Sequence, residues 1–104
     1  RKEIAARLVK ETDSLMAFHD INPVAPVHVL IVPKIHVKNI NEINETTKGL
    51  LNDMAIFAKD LALQLGVRSS GYRLVINNEA GAGQSVFHMH MHLIAGREFA
   101  WPPG

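Results

Sequence analysis

The chain has no cysteine among its 104 residues. This absence excludes a disulfide scaffold, a thiolate zinc or iron–sulfur site, and catalysis by a cysteine nucleophile. The chain also lacks an excess of charge of one sign, since 11 lysines and arginines against 10 aspartates and glutamates leave a net charge of +1. We therefore expect no nucleic-acid partner, because such a partner would require a broad basic surface.

Long apolar runs are missing as well. No segment approaches the roughly 20 apolar residues that cross a bilayer, and no charged start leads into an apolar signal core. We therefore expect a protein without a membrane partner, placed in the cytoplasm and also in the nucleus if the source is a eukaryote. The chain begins at Arg1 rather than at a methionine, and we expect further N-terminal residues in the full protein.

What is present is an ordinary globular composition, with 47% hydrophobic and 20% charged residues. It predicts one domain over 1–104 that buries a core without covalent staples. The segments with the apolar, β-branched character of strands are 14–19, 27–32, 72–77 and 86–95. A helix should run from a cap at Thr46 or Thr47 to about Leu65, with Gly66 just past its end. The prediction is an α+β fold, in which an antiparallel sheet of about five strands packs with one long helix.

The predicted helix is apolar on more than one side. One stripe at i, i+3, i+4 and i+7 suits packing on a sheet. Four further apolar residues widen the surface beyond that stripe: Ala55, Ile56, Ala62 and Leu63. The helix is either poorly amphipathic with small exposed alanines, or it forms a subunit interface. The second interpretation is favoured, and it predicts a homodimer in which helices pair or the sheet extends across a twofold axis.

Six histidines are the unusual feature of the composition, and three of them lie within five residues. Side chains at i, i+2 and i+4 of a strand share one face, so His88, His90 and His92 should lie side by side. The intervening residues should pack into the core on the other face: Phe87, Met89, Met91 and Leu93. Because each imidazole carries nitrogens that need partners, this row indicates a functional surface rather than packing.

Two chemistries compete for this row of imidazoles. Metal ligation is disfavoured, because same-face Cα atoms lie roughly 6.6 Å apart in a strand and three ligands from one strand would strain around one ion. Phosphate chemistry is favoured by the preceding segment 77–85, which is small, flexible and rich in hydrogen-bonding groups. That segment lacks the Gly-Lys-Ser/Thr of a P-loop, so by itself it indicates no more than a hairpin connection.

Several motifs together resemble the histidine-triad superfamily, and in particular its Hint branch of purine nucleoside phosphoramidases. They are residues 17–21 (AFHDI), 26–34 (PVHVLIVPK), 83–86 (GQSV), 88–92 (HMHMH) and 101–104 (WPPG). The similarity covers essentially the whole chain, and one departure is Ala82, where relatives often carry glycine. The resemblance implies a hydrolase of purine nucleoside 5′-phosphoramidates that uses neither a cofactor nor a metal.

By this resemblance, His90 is the nucleophile that attacks the α-phosphorus and forms a covalent nucleotidyl-histidine. A neutral imidazole suits that role at neutral pH, provided that a hydrogen bond to a nearby carbonyl fixes its tautomer. His92 and backbone N–H groups of the loop would stabilise charge on the phosphoryl oxygens. Hydrolysis of the intermediate would release an amine and a nucleoside monophosphate, AMP or GMP.

The resemblance assigns further residues to the site. His28 joins the three histidines, His88 supports them, and Ser85 contacts the leaving amine or a phosphate oxygen. The remaining nucleotide-binding positions are Asn77 at the phosphates, Asp20 at the ribose, Phe18, Ile21 and Leu30 around the base, and Gly83, Gln84 and Val86 in the loop. From the residues alone, a core role for His28 and a turn role for Asp20 stay open. The acid that protonates the leaving amine stays open among His28, His88, Ser85 and water.

By the same resemblance, one further expectation concerns the C-terminal tail. Trp101, in the proline-rich tail, should reach towards the active site of the partner subunit. His19 and His36 belong to no constellation, so we expect them to be surface or structural residues. Two other function classes stay open, namely a nucleotide-binding scaffold with incidental hydrolysis and a metal-binding protein.

Overall fold

Alternating apolar residues give this chain a sheet with two different faces. The computed structural model describes residues 7–104, so the first six residues of the predicted domain lie outside the described residues. The elements are β1 (Leu8–Glu11), β2 (Leu15–His19), β3 (Val27–Pro33), α1 (Leu50–Gln64), β4 (Tyr72–Val75) and β5 (Met91–Ala95). The strands form one antiparallel sheet in the order β1-β2-β3-β5-β4. Within the described residues, the predicted α+β sheet with one long helix is confirmed.

One face of the sheet packs against α1 and forms the core. Val29 and Ile31 of β3 point to this face and are fully buried, as is Leu93 of β5. The helix contributes Leu50, Met54, Phe57, Ala58, Leu61 and Ala62 to the same core. Because side chains alternate along a strand, the residues between these positions lie on the opposite face of the sheet. That second face carries the histidines.

The helix begins later than the sequence predicted. Gly49 is the N-cap, whereas Thr46 and Thr47 lie in the preceding turn. There the Asn44 side chain accepts a hydrogen bond from Thr46 N, and the Asn44 N–H donates to Thr47 Oγ1. The prediction of a threonine N-cap is therefore wrong, because side-chain hydrogen bonds of Asn44 and Thr47 form a turn before the helix. At the other end, Gly66 has a φ of +75° just past the helix, as predicted.

The predicted strand 86–95 is wrong in its first half. Residues 86–90 form no strand: the ladder with β4 ends at His92 and the ladder with β3 ends at Met91, although β3 itself continues to Pro33. This stretch instead lies against the segment that follows β3, where Met89 N–H donates to Val37 O at 2.6 Å. Met89 is buried as predicted, but Phe87 is 47% exposed and does not belong to the core. Burial therefore alternates from Met89 to Ala95 as predicted, but not over residues 86–88.

Part of the apolar surface of α1 remains open to solvent. Ile56 is 48% and Leu63 is 63% exposed, whereas Ala62 lies on the buried side of the helix and is fully buried. The exposed apolar surface of α1 therefore includes two large side chains and does not consist of alanines alone. The predicted subunit interface stays a prediction. No helix within residues 7–104 is long and apolar enough to span a membrane.

Candidate active site

The histidines lie on the face of the sheet opposite α1. Leu30 of β3 pairs across the ladder with Phe18 of β2 on one side and with His92 of β5 on the other. An apolar wall and an imidazole are therefore direct neighbours. The ring centroid of His92 lies 5.1 Å from that of His28 and 5.1 Å from that of His90. The structure thus brings together three of the predicted histidines in one cluster.

His90 has one ring nitrogen bonded and the other free. Its Nδ1 lies 2.9 Å from the carbonyl oxygen of His88. A carbonyl can only accept, so Nδ1 carries the proton in the neutral ring and Nε2 carries the lone pair. This is the carbonyl contact that the sequence analysis expected for a nucleophilic imidazole.

A second chain of hydrogen bonds sets the tautomers of His28 and His92. The backbone N–H of Val24 donates to Nδ1 of His28 at 3.1 Å, which leaves the proton of the neutral ring on Nε2. His28 Nε2 lies 2.9 Å from Nδ1 of His92 and donates to it. The proton of a neutral His92 must then be on Nε2. The buried His28 is therefore a hydrogen-bond donor to His92 rather than a passive core residue.

His92 is held in its neutral form at ordinary pH. Burial lowers the pKa of His92 from 6.5 to about 4, with further lowering from His90 and His28 and an opposing effect of Asp20. A neutral His92 keeps Nδ1 as an acceptor for His28 and presents Nε2–H as a donor. This polarity suits contact with an anionic oxygen.

His88 is separated from the other histidines by its own contacts. Its Nε2 donates to the carbonyl oxygen of Pro33 at 2.7 Å. Its ring also packs edge-to-face on His36, with centroids 5.1 Å apart. The exposed His36 therefore has a structural contact, in agreement with the role expected for it. His88 bonds to the chain that leaves β3, while its carbonyl orients His90.

Asp20 makes the turn contact that the sequence left open and also lies beside His28. Oδ1 accepts a hydrogen bond from Asn22 N at 2.7 Å, which is the local turn contact. Oδ2 lies 3.5 Å from Nε2 of His28, and the residue lines the cavity described below. One carboxylate oxygen therefore fixes the turn while the other remains directed to the site.

Asp20, His28 and His92 come closest to a metal site among the described residues. One possible ligand atom of each lies within 4.8 Å of the others. The hydrogen bonds do not suit a cation, because Val24 N–H occupies Nδ1 of His28 and the proton lies on Nε2. A ring in this state offers no free lone pair to a metal ion. The donor set therefore fits a hydrogen-bond relay better than a metal site.

A cavity of about 790 Å³ opens on the same face. Its size lies in the range of small-molecule sites. Its lining residues are Arg7, Phe18, His19, Asp20, Ile21, Leu30, Val32, Val86, His88 and His90. The predicted base-pocket residues are all part of this lining.

Three lining residues were absent from the sequence-based site: Arg7, His19 and Val32. Val32 lies two residues after Leu30 on one strand face, so alternation could have identified it. His19, expected to belong to no constellation, is instead part of the cavity wall. Arg7 has no local sequence signal, because its place depends on the pairing of β1 with β2.

The predicted residues of the loop before the histidines differ in exposure. Ser85 is exposed, Asn77 is half-buried, and Gly83 has a φ of +94° that favours glycine. The Gln84 side chain is buried and donates to the carbonyl oxygens of Lys38 and Val86, while its predicted binding of nucleotide stays a prediction. Buried amides need such partners, so Gln84 supports the loop from inside.

The departure at Ala82 is compatible with this loop. Ala82 ends a 3₁₀ turn over Ala80–Ala82, and its φ is not positive, so a side chain is tolerated there.

Farther along the chain, Trp101 is 83% exposed on the C-terminal tail. Its predicted contact with a partner subunit stays a prediction.

Comparison with known proteins agrees with this geometry. A family model described as HIT domain matches residues 1–99. The chain is 46% identical over 104 residues to an uncharacterized HIT-like protein of Synechocystis, covering 100% of this chain and 90% of that protein. It is 40% identical over 97 residues to the purine nucleoside phosphoramidase of Escherichia coli, covering 93% of this chain and 82% of that protein.

A solved structure gives the same result. The crystal structure of a HIT family hydrolase from Legionella pneumophila matches with a TM-score of 0.92 and 48% sequence identity. The match covers 99% of this chain and 92% of that chain. The sheet, the histidine cluster and the sequence similarity agree, and the chain belongs to the histidine-triad (HIT) domain family.

Proposed function

We propose that this protein hydrolyses purine nucleoside 5′-phosphoramidates through a covalent nucleotidyl-histidine intermediate. The observation that carries the proposal is the bond from Nδ1 of His90 to the carbonyl of His88, on a ring that lines the cavity. It leaves Nε2 with a lone pair for attack on phosphorus. The 40% identity to a purine nucleoside phosphoramidase supports the same reaction class.

The reaction has two displacements at phosphorus. In the first, Nε2 of His90 forms a bond to the α-phosphorus while the bond from phosphorus to the substrate amine breaks. The amine leaves with the bonding electron pair and takes up a proton. In the second, water attacks the same phosphorus, the bond to Nε2 breaks, and a nucleoside monophosphate is released with a proton. The Nε2–H of His92 stabilises negative charge on the phosphoryl oxygens in both steps.

The hydrogen bonds narrow the choice of acid for the leaving amine. His28 Nε2–H is already directed at His92, and His88 Nε2–H at Pro33 O. Neither ring has a spare proton in its neutral form. The exposed Ser85 hydroxyl and water remain, and we assign the proton donation to one of these two.

The lining of the cavity supports a purine nucleoside as part of the substrate. Phe18, Ile21 and Leu30 form apolar walls that suit a flat base, because such rings gain most from burial of apolar surface. The carboxylate of Asp20 has one oxygen directed to the site and would accept hydrogen bonds from ribose hydroxyls. AMP and GMP are therefore the expected products.

Adenosine 5′-phosphoramidate tests the reaction directly. Release of AMP should continue in the presence of a chelator, because the site supplies imidazoles and no metal is needed. His90→Ala should abolish turnover and leave AMP binding largely intact, whereas the exposed control Glu45→Gln should stay within about 3-fold of the wild-type rate, in the range of surface changes. No turnover with retained AMP binding would favour the nucleotide-binding scaffold, and loss of turnover only with chelator would favour a metal-dependent protein.

We also propose that the active form is a homodimer. The exposed Ile56 and Leu63 of α1 give an apolar surface that association would bury. The exposed Leu74 adds an apolar side chain on β4, which forms one edge of the sheet. A twofold arrangement would cover both features with one isologous interface and would place Trp101 near the partner subunit.

A further inference from the structure

The loop that carries Ser85 is anchored to the chain that leaves β3. Asn78 Oδ1 accepts a hydrogen bond from Ile40 N at 2.9 Å, and Gln84 Nε2 donates to Lys38 O at 2.7 Å. These contacts join positions about 40 residues apart in sequence. Neither belongs to the sheet ladder, so the place of Ser85 depends on side-chain contacts.

Glu79 occupies the centre of this anchorage in a costly backbone conformation. Its φ of +75° and ψ of +161° lie in a region used almost only by glycine. Among residues 7–104 it is the only non-glycine residue with a positive φ. Such a conformation persists only where surrounding contacts compensate for its cost.

The Glu79 carboxylate binds three side chains of the segment after β3. Oε2 accepts hydrogen bonds from Nδ2 of Asn39 at 2.9 Å and of Asn41 at 3.2 Å, and Oε1 lies 3.1 Å from Nζ of Lys38. The Asn39 bond, together with Lys38 and Asn41, holds the pKa of Glu79 below its usual range. The carboxylate is therefore charged throughout the neutral range, and its partners remain engaged.

Asn39 transmits this contact to the residue beside Ser85. It is fully buried, and its amide donates to Glu79 Oε2 and to Gln84 Oε1, both at 2.9 Å. Gln84 Oε1 also accepts from the backbone N–H of Glu79 at 2.8 Å, and Gln84 Nε2 donates to Val86 O. Gln84 and Val86 flank Ser85, so both neighbours of the hydroxyl are fixed by this network.

The same segment holds the histidines. Pro33 O accepts from Nε2 of His88, and Val37 O accepts from Met89 N–H, immediately before His90. The loop and the histidines are therefore fixed on one piece of chain. This piece of chain therefore sets the distance between the loop and the histidines, although residues 86–90 form no strand.

We propose that Glu79 and Asn39 are positioning residues that hold Ser85 at the phosphoryl group bound by His90. The inference rests on the proposed function and adds the groups that align its phosphate loop. It predicts that loss of the Glu79 side chain weakens phosphate recognition and turnover without loss of base binding. Small displacements of aligned groups reduce rates strongly even when the reacting residues are unchanged.

Glu79→Gly tests this role without backbone strain, because glycine adopts a positive φ freely. We expect kcat for adenosine 5′-phosphoramidate to fall about 10-fold or more, the AMP dissociation constant to rise about 3-fold, and adenosine binding to stay unchanged. Glu79→Gln keeps an oxygen that accepts from Asn39 and should restore part of kcat. The matched control is Glu45→Gln, which removes the exposed ion pair with Lys48 and should leave all three quantities unchanged.

The outcomes separate this proposal from the proposed function. Unchanged kcat and AMP affinity in Glu79→Gly would overturn the positioning role, as would equal weakening of AMP and adenosine. A melting temperature near the wild-type value excludes general unfolding as the cause. If the wild-type protein binds AMP without hydrolysing a phosphoramidate, the proposed reaction fails and the ratio of AMP to adenosine affinity still decides the positioning role. If the wild-type protein binds no AMP, both proposals are overturned.

Discussion

Acidification should remove part of the stability of this protein through His92. Burial lowers the pKa of His92 to about 4 in the folded chain, with His90 and His28 contributing, against 6.5 for a free histidine. Between these values the unfolded chain binds a proton that the folded chain does not bind. The contribution of His92 is therefore complete above about pH 6.5 and is lost as the pH falls towards about 4.

The magnitude follows from the two pKa values. Taken in full, the drop from 6.5 to about 4 corresponds to about 3 kcal/mol of unfolding free energy. His92 is only half-buried, so solvent screening reduces this figure, and we expect about 1–2 kcal/mol. The loss has a structural cause, because a protonated His92 can no longer accept the bond from His28 Nε2–H.

Urea unfolding at about pH 7 and about pH 4.5 measures this contribution. Wild-type protein and His92→Gln are compared at both values, so that all other titrating groups cancel in the difference. We expect the wild-type protein to lose about 1–2 kcal/mol more than the variant between the two conditions. An equal loss in the two proteins would refute the reasoning, because it would show that His92 has no displaced pKa.

Three further predictions concern separate parts of the molecule. His28→Ala removes the donor to His92 Nδ1 and should lower kcat about 100-fold, while His28→Gln, which keeps a donor, should recover part of it in the same assay. Gly96→Ala should destabilise the fold by about 2 kcal/mol in urea unfolding, because the φ of Gly96 is +94° and a methyl group there would lie 2.9 Å from Pro26 Cβ. An unchanged unfolding midpoint would contradict this prediction. Wild-type protein should elute near twice 11.5 kDa in size-exclusion chromatography, and Leu63→Glu should elute as a monomer; a monomeric wild type would refute the dimer.

Much of the fold was predictable from local pattern. The apolar run of β3 and the alternation around His92 give the strand type and its buried face, and tertiary structure did not alter either. The end of α1 at Gly66 followed from glycine chemistry. The start of the helix did not follow, because Thr46 and Thr47 have equally good partners in a turn.

The candidate site was predictable as a group of residues but not as a set of contacts. Histidines at alternate positions indicated a shared face, yet residues 86–90 form no strand and His88 bonds to Pro33 O instead. The resemblance to the histidine-triad superfamily assigned Gln84 to nucleotide binding, and the residues alone gave no information on its contacts. Gln84 is buried, since a partner for its amide arrives from Asn39, 45 residues earlier.

Within the strands that form, the sequence by itself determined which side chains share a face, because alternation is a property of the strand backbone. It also determined which functional groups the site can use, because the chain contains imidazoles and no thiols. Only the tertiary structure decided the tautomers of His28, His90 and His92. A tautomer depends on which donor or acceptor lies within about 3 Å of each nitrogen, and the partners of the His28 ring come from Val24 and, 64 residues away, from His92.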